Sequence, residues 1–319
     1  MQIDPLFSAE HHAAVVRPSN SSESSAAALR SWLHDERDSV EALLLRHGAL
    51  LCRGFAIDSL ETFRACVGEF GSSTAGDYTG GNSPRTALGE GIYTSTEYAA
   101  EAEISIHNEM SYANDWPRLL FFYCEQPAAH GGQTTLVDGR DLLSSLPPEL
   151  VDRFAARRLR YLRAFHATGA LGRSWQDTYG THDRIEVETR IRAAGSQFTW
   201  RADGCLQVST TCDAVKVHPR TGERVWFNQA EQWHPSSLAP SLRELLAAAL
   251  GDDAFPHDCR FEDGAPIDEE DLRLIRHIQT DLHLLFDWHR NDLLMIDNML
   301  VMHGRQPFVG PRRVLVSMV

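Results

Sequence analysis

Short apolar segments separated by polar turn residues dominate the chain beyond about residue 100. Segments of this length, rich in β-branched and aromatic residues, are typical of β-strands. We predict strands at Ala49–Cys52, Ile104–His107, Leu119–Glu125, Thr134–Val137, Arg158–Phe165, Val225–Asn228, Leu293–Asp297 and Val314–Met318. Gly131-Gly132 and the segment His218–Gly222 carry turn residues between strands, so each predicts a tight connection.

Helical start signals precede several longer segments. The predicted helices begin near Ser22 to Ser25 and cover Asp58–Phe70, Pro148–Arg157, Ser241–Leu250 and Asp268–Phe286. Residues 74–92 are rich in Gly, Ser, Thr and Asn and predict a long surface loop. Many short strands with inserted helices favour a mainly β fold of the sandwich or jelly-roll type. We expect one domain covering residues 1–319, without a dinucleotide-binding unit, because no G-x-G-x-x-G follows a strand.

The charge and the cysteines exclude several classes of function. The 319 residues carry a formal net charge of −14, which disfavours nucleic acid and anionic membranes as partners. No leader segment and no run of eighteen apolar residues is apparent, so we expect a cytoplasmic protein. The six cysteines form no C-x-x-C pair, which argues against a zinc knuckle or a disulfide framework.

Positive charge is concentrated in one segment. Residues 153–201 contain ten arginines against four acids. They could dock an anionic carrier arm or an acidic carrier domain, in which case charge reversal at Arg158 and Arg160 should weaken docking. Alternatively, these arginines are solvated and paired with nearby acids.

The triplet His107-Asn108-Glu109 ends a predicted strand, where residues i and i+2 point to the same face. Together with a distant histidine, His303, the pair matches the facial triad of non-haem Fe(II) oxygenases. The same three groups could instead hold a catalytic zinc, although the helical H-E-x-x-H arrangement is missing. The triplet alone also fits an exposed histidine beside a solvated glutamate.

An arginine near the C-terminus is the second candidate for chemistry. Arg313 opens the last predicted strand, ten residues after His303. We expect its guanidinium to face the same cavity as His303 and to bind a carboxylate bidentately. Its neighbour Arg312 should then point to the other face as a surface residue, and the opposite assignment stays open.

With these residues the sequence resembles the TauD/TfdA family of Fe(II)- and 2-oxoglutarate-dependent dioxygenases, from about Tyr93 to the C-terminus. The resemblance rests on His107-Asn108-Glu109, Gly131-Gly132-Gln133-Thr134, His218-Pro219-x-Thr221-Gly222, and His303 with Arg312-Arg313. The phrases beginning at Tyr93, His107 and Val225 are similar to the natural-product subgroup that includes the syringomycin-pathway aspartyl hydroxylase.

The resemblance implies a double-stranded β-helix that binds Fe(II), 2-oxoglutarate and O2. His107, Glu109 and His303 would ligate the iron, while Thr134 and Arg313 would bind the C5 carboxylate of 2-oxoglutarate. Glu109 occupies the place where family halogenases need a small residue, so hydroxylation is favoured, with desaturation or cyclisation as alternatives. Ser317 stands where sulfonate-using members have a second arginine, which makes a sulfonate substrate unlikely.

The expected substrate is an amino acid or a derivative of one, free or tethered to a peptidyl carrier protein. Thr94, Thr96, Glu97 and Asn228 are candidate substrate contacts, although strand residues of these types are as often structural. A lid or insertion is expected at about residues 141–215. A catalytically inactive β-sandwich binding protein is the alternative outside enzymes.

Overall fold

Two β-sheets that share a hydrophobic core form the centre of the fold. The computed structural model describes residues 1–8, 12–72, 86–89, 91–95, 98–166, 173–250 and 255–319. The strands of this part are β1 (Gln2–Pro5), β2 (Ala14–Arg17), β3 (Ala49–Cys52), β4 (Ala87–Gly89), β5 (Ile92–Thr94), β6 (Ile104–His107), β7 (Leu119–Gln126), β8 (His130–Gly131), β9 (Thr134–Asp138), β10 (Leu159–Phe165), β11 (Gln197–Trp200), β12 (Leu206–Cys212), β13 (Val215–Val217), β14 (Arg224–Trp226), β15 (His257–Phe261), β16 (Leu284–Phe286), β17 (Leu293–Asp297), β18 (Val301–Arg305), β19 (Phe308–Val309) and β20 (Arg313–Met318).

Ten helices of the described residues connect or cover these strands. They are α1 (Ala26–Asp35), α2 (Arg37–His47), α3 (Leu60–Gly68), α4 (Gly139–Ser145), α5 (Pro148–Arg157), α6 (Trp175–Tyr179), α7 (Arg184–Ala193), α8 (Ala230–Trp233), α9 (Pro240–Leu250) and α10 (Glu269–Leu282). Serine side chains cap the first and third: Ser25 accepts a hydrogen bond from Ala28 N–H, and Ser59 accepts one from Thr62 N–H. Within the described residues, no helix is both long and apolar enough to span a membrane.

The larger sheet has eight strands in the order β1-β2-β3-β17-β7-β20-β5-β4, and the smaller has four in the order β16-β9-β18-β6. Leu136 and Val301 of the smaller sheet belong to the same buried cluster as Phe122, Ile296 and Val316 of the larger. The two sheets therefore face each other across this cluster. The other face of the larger sheet is covered by α1, α2 and α3.

A third sheet, β11-β12-β10-β15, lies beside this core. Phe165 and Leu206 of this sheet form a separate small cluster with α6 and α7. Leu159 and Tyr161 instead join the buried cluster around Trp226. Its last strand, β15, lies beyond the expected insertion at 141–215, so the third sheet is assembled from a longer stretch of chain.

Most predicted elements are present, with small differences at their ends. The strands Ala49–Cys52, Ile104–His107 and Leu293–Asp297 and the helix Pro148–Arg157 have the predicted bounds. The predicted helix Asp268–Phe286 ends early at Leu282, and β16 follows it. The predicted loop 74–92 contains β4 and reaches β5, while residues 73–85 and 90 lie outside the described part.

Candidate active site

Two paired strands and the turn after one of them bring the predicted metal ligands together. His107 on β6 and His303 on β18 are directly opposite each other in the antiparallel pair, and Glu109 follows β6 by two residues. One ligand atom from each of His107, Glu109 and His303 lies within 4.8 Å of the others. Two imidazoles and one carboxylate, all near the core, are a donor set that suits Fe(II) and leaves coordination positions open.

A backbone contact sets the orientation of the His107 ring. Its Nδ1 lies 2.8 Å from the carbonyl oxygen of Ser105, which can only accept a hydrogen bond. Nδ1 therefore carries the proton, and in the neutral ring Nε2 keeps the lone pair that a metal needs.

Two buried amides hold the backbone of this strand end. Asn298 accepts a hydrogen bond from Glu109 N–H at 2.7 Å and donates to the carbonyls of Glu109 and Pro117, each at 2.9 Å. Gln229 donates to the Asn108 carbonyl at 2.6 Å and to the Ser111 hydroxyl at 3.0 Å. Neither Asn298 nor Gln229 was predicted from the sequence to position the site. The available signal was a polar residue directly after a predicted strand: Asn298 follows Leu293–Asp297, and Gln229 follows Val225–Asn228.

The chain turns sharply after Glu109. Met110 has a φ of +57°, a left-handed conformation that is uncommon for a residue with a side chain. Such conformations persist where the surroundings over-determine them. Here the contacts of Asn298 and Gln229 lie on either side of the turn and provide that constraint.

The His218 motif supports the site indirectly. The Nδ1 of buried His218 accepts from the N–H groups of Arg220 and Thr221, so its Nε2 carries the proton and donates to Asp297 at 3.2 Å. This bond fixes the β13–β14 hairpin to the end of β17, next to Asn298. The predicted turn at His218–Gly222 is confirmed.

A cavity of about 530 Å³, which we call the central cavity, opens beside two of the three predicted ligands, His107 and Glu109. It is lined by His107 and Glu109 from the metal strand, Met110 and Tyr112 from the turn, and residues of α8 and α10. The full lining is Tyr98, Glu103, Ile104, Ser105, Ile106, His107, Glu109, Met110, Tyr112, Gln229, Glu231, Gln232, Trp233, Ser237, His257, Arg276, Gln279 and Thr280.

A smaller pocket of about 30 Å³ lies on the other side of His107, and we call it the arginine pocket. Its lining comprises Ser95, Ile104, His107, Phe122, Thr134, His303, Gly304, Arg305, Arg312, Val314 and Val316. Thr134 is buried there, and its hydroxyl accepts a hydrogen bond from Trp288 Nε1 at 2.9 Å. The volume admits roughly two water-sized atoms, which is the size of a carboxylate's two oxygens.

The expected orientation of the two adjacent arginines is wrong. Arg313 points outward, its side chain is 52% exposed, and it pairs with Glu125 at 2.7 Å. Arg312 lines the arginine pocket instead. Along β20, Val314 and Val316 face this pocket and its core, whereas Leu315 packs on the opposite face. Because side chains alternate between the two faces of an extended chain, Arg312 points to the same side as the two valines.

A buried cation, Arg305, and a partly buried one, Arg312, meet in the arginine pocket. Burial, together with the nearby Arg305 guanidinium, lowers the pKa of Arg312 to about 10. Arg305 donates to the carbonyls of Ala99 and Ala102, and its Nε has no hydrogen-bond partner. Neither arginine has a carboxylate partner among the described residues. Two desolvated cations without a counter-ion favour an anionic ligand.

Two of the four substrate candidates, Thr94 and Asn228, lie within the described residues and away from both pockets. Thr94 accepts a hydrogen bond from Thr86 N–H in the β4–β5 hairpin and lines neither cavity. Asn228 is fully buried, donates to the Ala214 carbonyl and accepts from Ala230 N–H at the start of α8. The position of Asn228 thus does not support the expected substrate contact, because its amide is used to hold the backbone. Thr96 and Glu97 lie outside the described residues.

Most arginines of the 153–201 segment are paired with acids. Arg158 contacts Asp213 and Glu262, and Arg160 donates to the Glu262 carbonyl. The remaining ion pairs of the segment are Arg153–Asp271, Arg157–Asp263, Arg190–Glu186, Arg192–Glu188 and Arg201–Asp203. Acids of neighbouring elements therefore neutralise much of the excess charge of this segment.

A third space, which we call the outer cavity, has a volume of about 640 Å³ and lies against the third sheet. It shares Met110, Tyr112 and Trp233 with the central cavity, so the two spaces adjoin. Its lining is mostly aromatic and small, with two arginines: Met110, Tyr112, Ala113, Tyr161, Arg163, Phe165, Tyr179, Arg190, Ile191, Ala193, Ala194, Ser196, Val208, Thr210 and Trp233.

Comparison with known proteins gives one family model and several relatives. Residues 15–319 match the model described as "Taurine catabolism dioxygenase TauD, TfdA family". The chain is 33% identical over 317 residues to the dapdiamide synthesis protein DdaC of Enterobacter agglomerans, covering 99% of this chain and 94% of that protein. It is 31% identical over 291 residues to a clavaminate synthase-like protein of Arabidopsis thaliana, covering 88% and 83%.

Solved structures share the fold. The crystal structure of AAD-2 in complex with Mn(II) and N-oxalylglycine superposes with a TM-score of 0.58 at 16% identity. The match covers 100% of this chain and 97% of that one.

Proposed function

The chain belongs to the TauD/TfdA family of Fe(II)- and 2-oxoglutarate-dependent dioxygenases, and on that basis we propose that it hydroxylates an unactivated C–H bond of an amino-acid-derived substrate. The observation that carries the proposal is the convergence of His107, Glu109 and His303 beside both a large cavity and a cationic pocket. The mixed arrangement of two facing sheets fits a single double-stranded β-helix domain with an inserted lid.

His107, Glu109 and His303 would hold the iron, which supplies the activation of O2 when 2-oxoglutarate is bound. The Ser105 carbonyl keeps the Nε2 of His107 available as a ligand. Asn298 and Gln229 fix the backbone on both sides of Glu109, so the carboxylate is oriented before any metal binds.

Arg312 and Thr134 would bind the distal carboxylate of 2-oxoglutarate in the arginine pocket. A planar guanidinium binds a carboxylate bidentately, and an anion there would offset the repulsion between Arg312 and Arg305. Because His107 lines both spaces, the rest of the cosubstrate can extend past it toward the central cavity. If the protein were a zinc hydrolase, this cationic pocket would have no assigned function.

The test is a stoichiometric assay with the purified protein. With Fe(II), 2-oxoglutarate, O2 and a substrate, the enzyme should form one succinate and one CO2 for each hydroxylated product, and the yield should fall to background without Fe(II). Detection of a desaturated or cyclised product would keep the family chemistry but refute hydroxylation. Substrate turnover without consumption of 2-oxoglutarate would refute the proposal.

Natural-product biosynthesis is the proposed setting. DdaC, a dapdiamide synthesis protein, is similar to this chain along nearly the whole length of both proteins. The six cysteines are free thiols, which fits the cytoplasmic location that we propose. The substrate would be a small molecule, without a role for nucleic acid or membrane, as the charge of −14 favours.

We further propose that the substrate is presented on a carrier arm through the outer cavity. Arg163 and Arg190 line this space, and its apolar walls lead to the central cavity through Tyr112 and Trp233. Arg158 and Arg160, which the sequence suggested for docking, are engaged with acidic loops and are better suited as controls.

The carrier proposal predicts that KM depends on salt and on Arg163. An aminoacyl carrier substrate should be preferred over the free amino acid. Its KM should rise with ionic strength and on Arg163→Glu, since exposed charges are screened within about 10 Å at 0.1 M salt. Arg158→Glu is the matched control and should change KM little. Equal turnover of the free amino acid, insensitive to salt and to Arg163→Glu, would refute carrier presentation.

A further inference from the structure

A buried carboxylate in the central cavity has no partner on one of its two oxygens. Glu231 on α8 is 2% exposed and is one of the residues that line the cavity. Its Oε1 accepts a hydrogen bond from Gln279 Nε2 at 3.0 Å, whereas its Oε2 has no hydrogen-bond partner among the residues that the structure describes. A buried acceptor without a donor costs free energy in the free protein.

The nearest cation does not satisfy this oxygen. Arg276 on α10 donates through Nε and Nη2 to the backbone carbonyl of Glu231, and through Nη2 to the Ser236 hydroxyl. Among the described residues, no ion pair joins its guanidinium to the Glu231 carboxylate. The arrangement holds α8 in place and leaves the carboxylate for another donor.

The other titratable groups of the cavity are also unsuited to supply that donor. Burial lowers the pKa of His257 to about 3, so this ring carries no charge; it packs edge-to-face against Trp233, and among the described residues no hydrogen bond joins it to Glu231. Glu103 is an acid, and its Oε1 already accepts from Gln306. Since no described residue donates to Glu231 Oε2, its donor is solvent in the free protein and can be a bound molecule in the occupied cavity.

We propose that Glu231 is a substrate-binding residue whose free oxygen accepts a hydrogen bond from an ammonium group of the substrate. This inference rests on the proposed function, because it assigns the substrate end that lies in the same cavity as His107 and Glu109. In an amino acid joined to a carrier as a thioester the carboxylate is consumed, and the α-ammonium is the backbone charge that remains. An acidic subsite therefore fits a free amino acid and a tethered one alike.

The pKa of Glu231 agrees with this assignment. Burial raises it to about 7, against the opposing effects of the Gln279 hydrogen bond and the Arg276 charge. An ammonium group placed beside the carboxyl would favour its charged form and release a proton near neutral pH. The other titratable groups with which it interacts, Tyr161 and Cys259, have pKa values raised well above their usual range and stay neutral.

The test uses matched pairs of probes on the full chain loaded with Mn(II) and 2-oxoglutarate, a combination that binds substrate without turnover. The probes are the primary amides of the proteinogenic L-amino acids and their N-acetyl derivatives, and calorimetry measures Kd. At least one amide should bind, and its N-acetyl derivative should bind about tenfold more weakly or worse, as expected for loss of a charge-assisted hydrogen bond.

The substitution Glu231→Gln keeps the side-chain volume and the acceptor for Gln279 but removes the charge. It should weaken amide binding by about tenfold or more and leave the N-acetyl derivatives unaffected. Glu103→Gln removes a carboxylate from the same cavity and should change Kd less than about twofold, as a more exposed charge.

Three results would overturn the assignment: equal binding of amides and N-acetyl amides, loss of affinity in Glu103→Gln instead of Glu231→Gln, or no binding by any amide. Binding of 2-oxoglutarate is measured separately in each variant. If 2-oxoglutarate binds and the amide results fail, only the Glu231 subsite is wrong. If 2-oxoglutarate does not bind to the wild-type protein, the proposed function itself fails.

Discussion

The choice between Arg312 and Arg313 is the sharpest test of the cosubstrate site, because two adjacent residues of one type have opposite surroundings. Arg312 lies in the pocket with Thr134 and His303, whereas Arg313 is half exposed and pairs with Glu125. We expect Arg312→Ala to weaken 2-oxoglutarate binding strongly and Arg313→Ala to leave it nearly unchanged.

The size of the effect follows from the contacts. A charge-assisted hydrogen bond contributes about 1.5–3 kcal/mol, so its loss corresponds to roughly a 10- to 150-fold increase in Kd. Arg313 takes part in a surface ion pair, which is worth about 0–1 kcal/mol and touches no bound group. Arg312→Lys keeps a charge but loses the planar fork, so it should fall between wild type and Arg312→Ala.

Calorimetry with Mn(II) measures Kd for 2-oxoglutarate, and succinate formation gives the KM of the active enzyme. Circular dichroism serves as the folding control; we expect Arg312→Ala to fold, because within the described part of the chain Arg312 donates a single long hydrogen bond, to the Gly132 carbonyl at 3.3 Å. A tenfold loss of 2-oxoglutarate affinity in Arg313→Ala, with no change in Arg312→Ala, would refute the assignment of Arg312 to the pocket face of the last strand.

The remaining predictions concern the metal, the buried amide and the buried acid. Alanine at His107, Glu109 or His303 should abolish Fe(II)-dependent turnover and weaken metal binding while the fold survives, which metal titration and circular dichroism check; normal activity in any of them would refute the triad. Asn298→Ala leaves three backbone groups of a buried turn without partners, at about 1–3 kcal/mol each, so urea denaturation should show a loss of several kcal/mol. The folded pKa of Glu231 is about 7, above its ordinary value of 4.5, so the unpaired charge destabilises the fold increasingly as pH rises from about 4.5 to 7. Glu231→Gln should therefore be more stable than wild type at pH 8, by up to roughly 3 kcal/mol, and no more stable at pH 4, as urea denaturation at both values will measure.

The local sequence pattern was sufficient to predict most of the helices and strands and two of the three candidate metal ligands. Strand alternation places His107 and Glu109 on one face because two residues separate them in an extended chain. The helix start at Ser25 and the hairpin at His218–Gly222 depend on capping and turn residues that act within a few positions. His303 was chosen for its place near Arg313 and the resemblance implied the same residue, since no local pattern joins it to His107, nearly two hundred positions earlier.

Tertiary structure decided the phase of the last strand and the partners of the buried polar groups. Both faces of β20 are buried, so Val314 and Leu315 are equally apolar and the alternation could not show which arginine faces the pocket. The amide of Asn298 meets Glu109, and Gln279 meets Glu231, across 189 and 48 residues. The sequence by itself determined which groups are available for chemistry, because residue type and short-range geometry are local. The packing of distant strands decided which of these groups come into contact and which are buried away from water, because burial and hydrogen-bond partners are properties of the assembled core.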